Sequence, residues 1–64
     1  MRLYVYDDDS REIVAEIHGD TNAKCEAKAE KLNYDQDQTS WTYSPALGFR
    51  GGLINLGDHE VFEV

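Results

Sequence analysis

Three consecutive carboxylates, Asp7, Asp8 and Asp9, stand in the stretch YVYDDDSREIV. Crowded carboxylates are the chemistry of hard-cation sites. An EF-hand loop sets oxygen ligands at alternate positions, a glycine at its sixth and a glutamate at its twelfth. Counted from Asp7, those two places hold Glu12 and His18, and Arg11 falls where a ligand belongs. The pattern argues against a metal loop. It suits a turn instead, because Asp and Ser side chains bond nearby backbone N–H groups.

The other reactive residue types are few. His18 stands two residues before Asp20, and His59 follows Asp58. A shared metal site would need both histidines in one place, and their spacing carries no ligand pattern. They read as solvent-facing. Cys25 is the single cysteine, so no intramolecular disulfide is available, as suits a reducing compartment. A catalytic thiol needs an exposed, electropositive setting, and Cys25 reads instead as a small buried residue. Gly48, Gly51 and Gly52 in LGFRGGL lack the GKS or GKT ending of a phosphate loop. Phe49 and Arg50 between them are residue types that anchor partners; a Phe49 folded into the core is the alternative. No catalytic residue, metal or cofactor is expected.

The elements that must carry these residues follow from periodicity. In RLYVY, Leu3 and Val5 alternate with Tyr4 and Tyr6; in EIVAEIH, Ile13, Ala15 and Ile17 alternate with Glu12, Val14, Glu16 and His18. Period-two alternation of β-branched and aromatic residues marks half-buried strands, and the polar Asp7–Arg11 segment between them is a hairpin loop. Asp20 or Thr21 then caps a helix over 21–32, whose residues are strong helix formers. Cys25, Ala29 and Leu32 fall on one helical stripe. Asp20 and Lys24 are placed to pair one turn apart, Asn33 suits a left-handed closing position, and Tyr34 can fold back on the last turn. SWTYS at 40–44 reads as a third strand, with Trp41 and Tyr43 on one side, ended by Pro45. Leu53 to Leu56 reads as a fourth, and HEVFEV as a last strand of ambiguous facing.

This predicts a single α+β domain over 1–64: an antiparallel sheet of four to five strands in β-β-α-β-β order, with one helix packed on one face. A helix of this length covers one face only. The other face then carries Tyr4, Tyr6, Glu12, Val14, Glu16 and His18. A wet sheet face is ordinary in antiparallel sheets. Tyrosines among carboxylates also suit a protein interface.

The chain has 64 residues, 13 acidic and 6 basic, for a net charge of −7. That field repels nucleic acid and anionic membrane and attracts basic proteins. Direct RNA stacking on the tyrosines would need basic residues for the phosphates, and only Arg2 and Arg11 are near. No apolar run approaches a membrane span of roughly 18 residues, and the N-terminus has no signal-peptide pattern. Met1 opening into a strand reads as the start of a complete small gene product.

In size, charge and layout over the whole chain, the hairpin YVYDDDSREIVAEIH, the helix TNAKCEAKAEKL and the late strands around SWTYS and HEVFEV resemble small acidic phage-encoded inhibitors of the anti-CRISPR type. The resemblance has no diagnostic motif and assigns no residue. It implies a viral protein acting in the bacterial host cytoplasm. Its partner would be a basic protein or nucleoprotein effector complex, bound where nucleic acid normally sits. The expected partner-facing residues, taken from the sheet face and the loops, are Tyr4, Tyr6, Asp7, Asp8, Asp9, Glu12, Glu16, Phe49 and Arg50. The alternative is an accessory protein without inhibitory role, self-associating as a homodimer through an edge strand.

Overall fold

The structure is a computed structural model, and it describes residues 1–34, 38–44, 52–54 and 59–64. The elements are β1 (Arg2–Asp7), β2 (Ile13–His18), α1 (Asn22–Lys31), β3 (Thr39–Thr42) and β4 (Glu60–Glu63). They form an α+β fold in the expected β-β-α-β-β order. The sheet runs β3-β1-β2-β4.

The hairpin turn is built by its first acid. The Asp7 carboxylate accepts from the Asp9 N–H at 2.8 Å and the Ser10 N–H at 3.1 Å, an Asx-type closure. Arg11 takes a left-handed φ of 63°, and its N–H bonds the Asp7 carbonyl at 2.8 Å. Past the turn, Tyr6 pairs with Ile13 while Val5 pairs with Ala15. Val14 is the extra residue of a β-bulge, which locally breaks the alternation. It packs partly buried against the core cluster, whereas strict alternation puts it on the opposite face.

The helix follows its local signals. Thr21 is the N-cap and accepts from the Lys24 N–H at 3.2 Å. Asp20 and Lys24 pair at 3.8 Å. Asn33 closes the helix with a φ of 63°, and the Tyr34 N–H reaches back to the Ala29 carbonyl at 2.9 Å. The buried cluster joins Leu3 and Val5 of β1, Ala15 and Ile17 of β2, and Cys25 and Ala29 of α1. Leu3, Val5, Ile13, Ala15 and Ile17 are the buried strand residues, the set that the alternation predicts, but Ile13 pairs with Tyr6 past the bulge and lies outside the buried cluster. Burying a Leu, Val or Ile contributes roughly 1.5–3 kcal/mol, so these few side chains carry much of a small domain's stability.

The sheet departs from the expected all-antiparallel form. β1 pairs antiparallel with β2 and with β3, but β4 pairs parallel with β2. The reason is connectivity. α1 returns the chain to the end where β2 began, so β3 runs in the direction of β2 and meets β1 antiparallel. After β3 the chain crosses again and enters β4 in that same direction. Parallel neighbours need such a long crossover. The expected strand at 53–56 appears among the described residues only as a parallel bridge between Ile54 and Glu12, with 55–56 outside them. The third strand begins one residue early and ends two early, at Thr39–Thr42.

Candidate partner-binding face

Cross-strand pairing sorts the sheet's side chains, because directly paired residues share a face. Leu3 with Ile17, Val5 with Ala15 and Trp41, and Ile17 with Phe62 define the core side. Trp41 donates its indole N–H to the Tyr34 carbonyl at 2.8 Å. Tyr43 donates its hydroxyl to the Glu26 carboxylate at 2.7 Å. Lys28 lies 5.6 Å from the centre of the Phe62 ring. All three contacts tie late segments to α1 or the residues just after it.

On the opposite side one row runs Thr42, Tyr4, Glu16, Val61 across the four strands. Beside it run Arg2, His18, Glu63 and, on the other flank, Tyr6 with Ser40. Tyr4 and Tyr6 are half-buried there, and Val61 is 53% exposed. Asp8 and Asp9 are exposed, while Asp7 and Glu12 are half-buried. The Ser40 hydroxyl donates to the Asp8 carboxylate, which fastens the turn to the start of β3. The Asp8 N–H also bonds the Gln38 carbonyl at 3.1 Å. Phe49 and Arg50 lie outside the described residues.

The centre of this face is a cluster that the sequence did not reveal. The two Glu16 oxygens meet different imidazoles: Oε1 lies 3.1 Å from His18 Nε2, and Oε2 lies 2.5 Å from His59 Nε2. The side chain of His59 is 7% exposed and that of Glu16 15%, against 30% for His18. The expected solvent-facing His59 is therefore corrected: its side chain is largely covered, and both histidines share one partner. His59, immediately before β4, lies at the β2 edge, and a carboxylate there satisfies its ring N–H. Part of this was legible, since Glu16 and His18 share a strand face at i, i+2. His59 is 43 residues from Glu16, so no local pattern could join them.

Glu16 is consequently engaged on both oxygens and is no open acid. The His59 ring N–H at its carboxylate holds its pKa below the ordinary value, against burial, which pushes it up; His18 adds a smaller pull. A carboxylate accepts and never donates when ionised, so each neutral ring presents Nε2–H to it and keeps Nδ1 as an acceptor. His59 Nδ1 is buried and, among the described residues, has no hydrogen-bond partner. Asp7 is also held below its ordinary value, first by the Ser10 N–H and then by that of Asp9.

Beside His18 lies an open depression of about 300 Å³, lined by Met1, Arg2, His18, Gly19, Asp20, Glu63 and Val64. Among the described residues no group of three or more His, Cys, Asp or Glu is arranged to hold a metal ion. Cys25 is buried, with its thiol 3.6 Å from the Ile17 carbonyl oxygen. No helix of the described residues is long and apolar enough to cross a membrane. No family model, curated protein or solved structure matches this chain.

Proposed function

We propose that this protein is a small binding inhibitor. Its helix covers one side of the sheet, and the opposite side docks on a basic, nucleic-acid-binding surface of a bacterial effector complex. The observation that carries this reading is the row Thr42, Tyr4, Glu16, Val61, with half-buried Tyr6 beside it. It offers aromatic and apolar area in the middle of a chain of net charge −7. Aromatic residues are enriched at protein interfaces. Asp8 and Asp9 at one end and Glu63 at the other supply carboxylates, all three exposed. Opposite charge steers a basic partner to the face and makes association salt-dependent.

The test is competition. Bacterial effector complexes recovered on the immobilised protein at low salt are assayed for binding of their target DNA while free protein is added. The expected result is loss of DNA binding, restored when Tyr4→Thr together with Asp8→Lys replaces the native chain. A recovered complex that binds its DNA unchanged would refute inhibition. It would favour an accessory role in its place.

A further inference from the structure

We infer that Glu16, His18 and His59 make the docking face proton-sensitive: mild acidification adds positive charge at its centre and releases a basic partner. This rests on the docking reading given above.

Three observations carry it. The two imidazoles converge on one carboxylate at 3.1 and 2.5 Å. That carboxylate stands in the row between Tyr4 and Val61, at the middle of the face. His18 lines the open depression, so water reaches the cluster at the His18 ring. The charged and titratable groups facing it among the described residues come from each neighbouring element. β1 supplies Arg2 and Tyr4, and β4 supplies Glu63. The chain terminus Met1 and the β2–α1 turn residue Asp20 line the same depression. Arg2 and Glu63 flank His18 with opposite charges, so neither sign is fixed in advance by the surroundings.

With both rings neutral the centre carries the single negative charge of Glu16. An imidazole gains its proton between about pH 5 and 8. Nε2 already faces the carboxylate, so the incoming proton goes to Nδ1. One proton cancels the charge of the centre, and a second makes it positive. A lysine- or arginine-rich partner gains from the first state and is repelled by the last. Because binding linkage is reciprocal, such a partner must also expel protons from the face when it docks.

A fluorescein-labelled nona-arginine peptide serves as probe, followed by anisotropy at low salt. Wild type should lose roughly tenfold in affinity between pH 7.5 and 5.5, the effect of one or two unit charges at interface range. His18→Gln should lose clearly less. His59→Gln, whose fold is checked by circular dichroism, should behave likewise. As a second readout on the unaltered chain, calorimetry at pH 6.5 in two buffers of different ionisation enthalpy should report proton release on peptide binding. Equal affinity at both pH values, equal weakening in wild type and His18→Gln, or no proton release would overturn the inference while leaving docking intact. Absence of peptide binding at pH 7.5 would remove the docking reading itself, and this inference with it.

Discussion

The Trp41 indole N–H and the Tyr34 carbonyl meet at 2.8 Å, and the Thr39 hydroxyl donates to the same oxygen at 2.8 Å. Two donors from β3 thus hold the segment that closes α1. Tyr34 lies just past the end of α1, where its carbonyl has no intrahelical partner, and an edge strand supplies two. Trp41→Phe keeps an aromatic ring on the core side but removes one donor. Urea denaturation should show a loss of about 1–2 kcal/mol from the hydrogen bond and the smaller ring. An unchanged midpoint would mean that β3 does not contribute to closing the helix.

Gly19 sits where a side chain does not fit. A Cβ there would lie 2.7 Å from Val64 Cγ2 and 3.0 Å from Cys25 Sγ. The Val64 side chain is partly exposed and has room to shift, whereas the buried Cys25 must yield within the core. Gly19→Ala should destabilise by about 1–2 kcal/mol, as overpacking does. Adding Val64→Ala should recover part of that loss by freeing the nearer contact. No recovery in the double variant would place the whole cost at Cys25.

The pKa of Glu16 lies below its ordinary value, chiefly because of the His59 ring N–H. A carboxyl group depressed in the folded state contributes stability that is present above its unfolded pKa and lost as pH falls through the folded value. Glu16 therefore contributes fully near neutrality. Its contribution fades as pH drops from the ordinary glutamate range through the lowered folded value. The urea midpoint of wild type should fall more steeply over that acid range than the midpoint of Glu16→Gln, which has no carboxyl to protonate. Parallel profiles would assign acid sensitivity to other carboxylates.

The pKa of the Tyr43 phenol is raised, first by burial and then by its hydrogen bond to the Glu26 carboxylate. A tyrosine so held stabilises the fold below its unfolded pKa and loses that contribution as pH rises through the folded value. In a spectrophotometric titration of the folded chain, Tyr43→Phe should delete the most alkaline phenol step. It should also cost about 1 kcal/mol at neutral pH, the worth of one hydrogen bond to a charged group at a partly exposed site. Loss of an earlier step would show that Tyr43 is open to solvent.

Much of this molecule is local and therefore readable in the chain. The alternation of Leu3 and Val5 with Tyr4 and Tyr6 encodes which side of β1 is buried, because strand side chains change face at every residue. Thr21, Asn33 and the Cys25–Ala29–Leu32 stripe encode the helix and its ends, since caps and helical faces act within a turn or two. The Asp7 turn is equally short-range. Val14 is an exception inside a readable strand, because a bulge depends on how the partner strand is paired and not on the residue itself.

What only the tertiary structure decided are the relations between distant segments. The parallel entry of β4 beside β2 follows from two chain crossings, and no residue type within HEVFEV specifies a direction. The meeting of His59 with Glu16 follows from that entry: once β4 lies along β2, the residue before it falls opposite a carboxylate already bonded to His18. Periodicity reports which side of an element faces inward. It carries no information on which other element will lie alongside, because that is set by how the whole chain closes around its few buried side chains.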